Sequence, residues 1–179
     1  MSLNLLETER YQIYHSLALE AGSALQYATW GGQVPDAEAA EIFRRVAAIE
    51  LRHYHSLSER WNALAGSPLA SLDQIANTAN DLLAGRKLPS PAAEPFLNRN
   101  LASFWYLWSA LALEEAASFS YERFGSFSDQ NQKDLFYGLQ KDEHTHISYF
   151  QSRLEALSQE LGVAGAPPPA YRAPIAPPS

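Results

Sequence analysis

Apolar residues recur at helical spacing in four long stretches of the chain, and no segment alternates with a period of two. Gly31-Gly32 and Gly125 are expected to end the first and third helices. Asp36 is expected to cap the second helix, and Ser126 or Ser128 the fourth. The predicted helices cover about residues 3–30, 37–65 and 95–124, and the fourth runs from the Ser126 or Ser128 cap to about residue 161. Two short turns and one long crossover between helices two and three predict an all-α four-helix bundle.

Proline marks the two parts of the chain that fit this helical pattern least well. The connection after Gly66 contains a possible short helix, Leu72–Leu83, and its end is marked by Pro89, Pro91 and Pro95. The tail contains AGAPPPAYRAPIAPPS and is expected to be extended or disordered. We therefore expect a bundle over residues 1–162 and a Pro-rich tail over residues 163–179. A flexible extension is the favoured interpretation of the tail, and docking along a partner or neighbouring subunit is the alternative.

Composition and charge exclude several classes of protein. The 13 Lys and Arg residues against 20 Asp and Glu residues give a formal charge of −7, which disfavours nucleic acid and anionic membrane surfaces. The longest uncharged apolar stretch near the middle, Leu101–Leu113, is too short to span a bilayer. With no secretory pattern at the N-terminus, a soluble cytoplasmic protein is expected. The chain has no Cys, so any metal must be bound by carboxylate and imidazole.

A weak internal repeat carries the candidate chemistry. The sequence Leu-Ala-Leu-Glu ends at Glu20 and again at Glu114, and each Glu is followed seven residues later by a Tyr, Tyr27 or Tyr121. A Glu-x-x-His follows each of them at nearly the same distance. These two motifs are Glu50 with His53 and Glu143 with His146.

The spacing predicts that these side chains share one interior. Residues three apart lie on one helix face, and each Glu falls on the apolar line of its helix. Turns near Gln33 and Ser126 would leave the facing Glu residues at heights that differ by roughly 6–8 Å. Buried carboxylates need a compensating charge, and no Lys or Arg falls on these lines. Two divalent cations would supply it, with about six ligands and open positions for water or a small oxidant.

Several neighbouring residues compete for a role in this site. Glu115 is the alternative to Glu114, because adjacent helix positions are hard to separate from sequence. His15, His55 and His144 lie off the motif positions and are expected at the surface or in hydrogen bonds. Trp105, Tyr106 and Trp108 are expected to pack in the core or between helices, the alternatives being an apolar wall for a substrate or a redox-active path.

One Glu from each of two helices and Glu-x-x-His from each of two others resembles the ferritin-like di-iron carboxylate superfamily. The chain looks closest to rubrerythrin-like proteins, with Tyr121–Leu157 especially similar. The resemblance implies that Glu20 and Glu114 are terminal ligands, that Glu50 and Glu143 bridge the metals, and that His53 and His146 each bind one. It also implies that Tyr27 and Tyr121 hydrogen-bond ligand carboxylates.

Two departures from rubrerythrins bear on the activity that the resemblance implies. Rubrerythrins have an extra Glu one turn beyond the third-helix ligand, where this chain has Ala117 and Ser118, and they usually carry a Cys-bound rubredoxin-like domain. The implied protein is a di-iron oxidoreductase, with a Mn/Fe pair as an alternative cofactor, acting on O2 or peroxide. It would need an external electron donor and an unidentified small-molecule substrate, and it could form a homodimer. A ferroxidase or iron-storage protein and a structural metal-binding bundle are the alternatives.

Overall fold

The computed structural model describes residues 5–65, 69, 71–72, 74–75 and 99–162, which contain four α-helices and no strand. The prediction of an all-α four-helix bundle is confirmed for these residues. None of the described helices has the length and apolar character needed to cross a membrane. The helices are α1 (Leu5–Gln33), α2 (Ala37–Ala65), α3 (Arg99–Phe127) and α4 (Gln130–Leu161).

The bundle consists of two antiparallel pairs, α1 with α2 and α3 with α4. At one end, the backbone N–H of Asp36 donates to the Ser103 hydroxyl at 3.1 Å, which places the α1–α2 turn beside the start of α3. At the other end, the Ser128 hydroxyl donates to the Gln12 side chain at 3.2 Å. Consequently, α2 ends at the opposite end of the bundle from the start of α3. Most of the predicted crossover, including much of Leu72–Leu83 and Pro89, Pro91 and Pro95, lies outside the described residues, as does the tail 163–179.

The apolar core is divided into two clusters, which we call proximal and distal. The proximal cluster lies near the α1–α2 turn and includes Tyr27, Trp30, Phe43, Tyr106 and Phe150. The distal cluster lies near the α3–α4 turn and includes Ile13, Leu57, Ile75, Tyr121 and Phe136. The buried carboxylates of the repeat lie along the helices between these two groups.

The glycines expected to end α1 and α3 instead lie inside these helices, so that prediction was wrong. A Cβ atom at Gly31 would lie 3.1 Å from Arg44 Cγ and 3.3 Å from the Ala40 carbonyl oxygen. At Gly125 it would lie 2.8 Å from the Tyr137 ring. Both glycines therefore permit close packing of antiparallel helices near their turns, a role unrelated to helix termination.

The N-cap of α2 is the predicted one, whereas the N-cap of α4 is not. Asp36 Oδ1 accepts a hydrogen bond from the Ala39 N–H at 2.7 Å. For α4, Asp129 Oδ1 accepts from the Gln132 N–H at 3.1 Å. The Ser126 and Ser128 hydroxyls instead donate to the carbonyl oxygens of Glu122 and Phe124. The third helix is therefore longer than predicted, and the second turn lies later in the chain.

Candidate metal centre

The corrected turns bring the paired Glu residues to the same height in the bundle. Pro35 lies at the centre of the first turn, and Glu20 and Glu50 are equally far from it along the chain. In the second pair, the turn is centred between Ser128 and Asp129. Glu114 lies as many residues before Ser128 as Glu143 lies after Asp129. The height difference of roughly 6–8 Å expected at 1.5 Å per residue came from turn positions that were too early.

The structure brings all six predicted ligand residues together in two groups of four. One group is Glu20, Glu50, His53 and Glu143, and the other is Glu50, Glu114, Glu143 and His146. Within each group, one donor atom from every residue lies within 4.8 Å of the others, and all six residues are buried. Glu50 and Glu143 belong to both groups. The arrangement offers two adjacent sites joined by two shared carboxylates.

Both histidines direct the same ring nitrogen toward the carboxylates. His53 Nδ1 lies 3.2 Å from Glu20 Oε2 and 3.3 Å from Glu50 Oε2. His146 Nδ1 lies 3.2 Å from Glu114 Oε2 and 3.1 Å from Glu50 Oε1. In each case Nδ1 is therefore the atom positioned to bind a metal, which leaves Nε2 for an outer partner.

The outer partner of His53 is Asp142, a residue that the sequence pattern did not single out. Asp142 Oδ2 lies 3.1 Å from His53 Nε2, and its side chain is half exposed. A carboxylate in this position fixes the tautomer and orientation of a metal-binding imidazole. Its position immediately before Glu143 was visible in the sequence. The α2–α4 contact that brings it to His53 was not.

The two repeat tyrosines extend across the bundle to the other helix pair. The Tyr121 hydroxyl on α3 donates to Glu20 Oε1 on α1. The Tyr27 hydroxyl on α1 lies 3.5 Å from the Ala110 carbonyl oxygen on α3. Burial, followed by the nearby Glu114 carboxylate, raises the pKa of Tyr27 well above its usual value, and burial does the same for the pKa of Tyr121. Both phenols therefore stay protonated near neutral pH and can act as donors.

Burial and mutual repulsion make two of the carboxylates, Glu50 and Glu143, hold protons. Burial, reinforced by the Glu20 charge, raises the pKa of Glu50 to about 8. Burial and the charges of Glu114 and Glu50 also raise the pKa of Glu143 well above its usual value. Burial opposes a low pKa at Glu20, but hydrogen bonds with Glu50 and His53 outweigh it and lower that pKa.

The pKa values of both histidines shift upward, which keeps their imidazole rings protonated and positively charged. Burial alone would lower the pKa of His53, but Glu20 and Glu50 outweigh it and raise the value to about 11. In the same way, Glu114 and Glu50 raise the pKa of His146 to about 9 despite its burial. Without a metal, the imidazolium groups therefore carry the positive charge that this acidic interior requires.

Three carboxylate oxygens fit a cation better than they fit any protein group nearby. Glu50 Oε1, Glu114 Oε1 and Glu143 Oε1 are buried and accept no hydrogen bond from the described residues, although Glu50 Oε1 lies 3.1 Å from His146 Nδ1 as an ion pair. Leaving such atoms unpaired is costly. A donor set of four carboxylates and two imidazoles suits iron or manganese. The residues present therefore fit a pair of divalent metal ions.

The structure separates several competitors that the sequence left open. Glu114 is 1% exposed and belongs to a four-residue group, whereas its neighbour Glu115 is exposed. The side chains of His55 and His144 are also exposed, and the half-buried His15 lies against Tyr11 and Phe124. None of these histidines belongs to either group. One helical turn beyond Glu114, Ala117 packs in the distal cluster.

The aromatic residues before Glu114 divide between the surface and the core. Trp105 and Trp108 are half-buried and pack edge to face with ring centroids 5.1 Å apart. Tyr106 lies in the proximal cluster, as the core-packing interpretation expected.

Comparison of the chain with protein-family models, with curated proteins and with solved structures found no match. Function is therefore inferred from the two groups of ligand residues. Their donor types, burial and shared carboxylates define a candidate dinuclear metal centre in a four-helix bundle.

Proposed function

We propose that this protein is a non-haem di-iron oxidoreductase of the ferritin-like, rubrerythrin-like type. The observation that carries the proposal is that two buried groups, each of three carboxylates and one imidazole, share Glu50 and Glu143. Two metals held this way would share Glu50 and Glu143. Each metal would also have one further Glu and one His as ligands. A pair of iron ions bound there would supply redox electrons and open positions for O2 or peroxide.

The protein's own residues would orient and protect that pair. Glu20 and Glu114 would each complete one site, while Tyr121 and Asp142 hold Glu20 and His53 in place. Apolar residues lie on both sides of the centre along the bundle axis, in the proximal and distal clusters. Such packing excludes bulk water and strengthens each electrostatic interaction at the metals.

Activation of O2 is the favoured activity, and peroxide reduction is the second. Ala117 supplies no carboxylate where rubrerythrins use one to let an iron shift during peroxide reduction. The chain has no Cys with which to hold an electron-transfer iron of its own. An external reductant would therefore supply electrons, and a small organic molecule would be the substrate.

Anaerobic loading with Fe(II), followed by O2, tests this function. We expect two irons per chain by metal analysis, loss of both in a Glu50→Ala/Glu143→Ala double variant, and an oxidised di-iron absorption that a reductant reverses. The control is Glu59→Ala/Glu155→Ala, which removes one exposed Glu from each of the same two helices. The control should bind iron as the parent protein does.

Each alternative predicts a different result in the same experiment. A ferroxidase or storage protein would oxidise Fe(II) far beyond two irons per chain and retain or release it as ferric iron. A structural metal site would bind metal without reacting with O2. Unchanged metal content in the Glu50→Ala/Glu143→Ala variant would contradict every one of these metal-dependent functions.

A further inference from the structure

A row of oxidisable rings connects the candidate centre with the α1–α2 end of the bundle. The ring centroid of Tyr27, the residue beside Glu114, lies 5.8 Å from that of Trp30. The Trp30 ring lies 5.8 Å from the Tyr106 ring, and the Tyr106 hydroxyl donates to Gln33 Oε1 at 3.3 Å. These are the distances of packed aromatic pairs. Since Gln33 is exposed, the row runs from a ligand carboxylate to the surface.

The equivalent position in the internal repeat has different neighbours. The Tyr121 ring stacks on Phe136 at 6.3 Å, and Phe136 in turn contacts Phe124 at 5.4 Å. Phenylalanine is much harder to oxidise by one electron than tyrosine or tryptophan. A path for single electrons is therefore interrupted beside Tyr121, whereas the path beside Tyr27 continues through Trp30.

The rings that surround Tyr27 on its other sides are also phenylalanines. Phe43 and Phe150 lie 5.7 and 5.6 Å from it, and both are fully buried. They pack the proximal cluster, and within the described residues they offer no second oxidisable branch. Core packing alone explains a cluster of aromatic rings, but it does not require that the row leading outward contain only Tyr and Trp.

We propose that Tyr27, Trp30 and Tyr106 form a one-electron relay between the surface at Gln33 and the metal centre. The use of those electrons rests on the proposed di-iron function, whereas the conduction of an electron along the row does not. The relay would connect the buried centre to the external reductant that a chain without Cys requires.

The relay balances in electrons and protons. Tyr27 gives one electron to the oxidised centre and its phenolic proton to the neighbouring Glu114 carboxylate, and then recovers both, the electron coming from Trp30. Trp30 is restored by one electron from Tyr106, which releases its phenolic proton to solvent at Gln33. One electron from the external reductant and one proton from solvent restore Tyr106. The net change is the transfer of one electron to the centre.

A photo-oxidant attached near Gln33 tests conduction in the metal-free protein. The chain has no Cys, and a Cβ atom at Gly32 would have nothing within 4 Å, so Gly32→Cys offers one labelling position for a ruthenium polypyridyl complex. After a laser flash and quench, we expect the electron paramagnetic resonance spectrum to show a tyrosyl radical. The shape of this signal should change when the protein is made with ring-deuterated tyrosine. The part of this signal that disappears in the Tyr27→Phe variant belongs to Tyr27, and it shows that Tyr27 has been oxidised.

Variants of the middle ring decide between a relay and simple packing. Trp30→Phe should abolish the Tyr27-dependent signal, while Trp30→Tyr should retain it, although both replace Trp30 by a smaller ring. Trp61→Phe and Tyr54→Phe, in the distal cluster, should leave the signal unchanged. An equal Tyr27 signal in Trp30→Phe and the parent, or no such signal in the parent, would overturn the relay. Because no iron is present, either result is independent of the outcome of the iron-loading experiment.

Discussion

The most informative single residue is Glu114, because its neighbour Glu115 is chemically identical and differs only in direction. Glu114 is 1% exposed and lies with Glu50, Glu143 and His146, whereas Glu115 is exposed. A step of one residue rotates a helical side chain by about 100°. One carboxylate therefore faces other buried carboxylates while the next faces solvent.

Asp142 is predicted to tune metal affinity through His53. In Asp142→Asn, the outer carboxylate that orients His53 Nε2 is replaced by a neutral amide, and we expect metal affinity to fall about 10- to 100-fold. Competition titration with a chromophoric chelator measures this. Asp134→Asn, an exposed change on the same helix, is the control. Equal affinities in the two variants would show that Asp142 does not act on the site.

The metal-free protein is predicted to lose stability as pH rises above neutrality. The pKa values of Glu50 (about 8), His146 (about 9) and His53 (about 11) all exceed their ordinary values, so the folded state holds protons that the unfolded state releases. The free energy of unfolding therefore falls as pH rises through neutrality toward about 11, the highest of these values. Urea denaturation in a chelator at several pH values measures the slope.

The same linkage gives metal binding the opposite pH dependence. Metal must displace these protons, so affinity should increase as the pH rises over the same range. His146→Gln should weaken both trends, and His144→Gln, which changes an exposed neighbour, should preserve them. Stability of the metal-free protein that rises with pH would contradict the assigned proton positions.

At the level of helices, the number, order and helical class of the four elements in the part of the chain that the structure describes could be predicted from apolar spacing. The predicted ends of α1 and α3 were wrong, because Gly31, Gly32 and Gly125 lie inside these helices and do not terminate them. A glycine inside a helix costs only about 1 kcal/mol relative to Ala, which packing can outweigh. The value of a glycine for close helix contact depends on the facing helix, information that a local pattern does not contain.

Gly31 and Gly32 provide a matched pair that tests this explanation. Gly32→Ala adds a methyl group in open space and should stabilise the protein by about 0.5–1 kcal/mol. Gly31→Ala should stabilise the protein less than Gly32→Ala, or should destabilise it. The added Cβ atom would lie 3.1 Å from Arg44 Cγ and 3.3 Å from the Ala40 carbonyl oxygen. Thermal denaturation of the two variants measures the difference. Equal stabilisation would mean that Gly31 is not needed for the approach of α1 to α2.

Across the whole molecule, the six candidate ligands were predictable because the internal repeat places them symmetrically. Their meeting depends on the lengths of α1 and α3, which the glycine positions led us to underestimate. Asp142 and the Tyr27–Trp30–Tyr106 row were not predictable, since both depend on contacts between helices. A bundle that buries four carboxylates between two apolar clusters is expected to be stabilised by the metals that neutralise them.

Crystallography of protein loaded anaerobically with Fe(II), with anomalous data collected at the iron edge, tests the central claim most directly. We expect two anomalous peaks between the proximal and distal clusters, with Glu50 and Glu143 each contacting both. Glu20 and His53 should complete one site, and Glu114 and His146 the other. No iron between the four helices, or iron bound only at exposed carboxylates, would contradict the account.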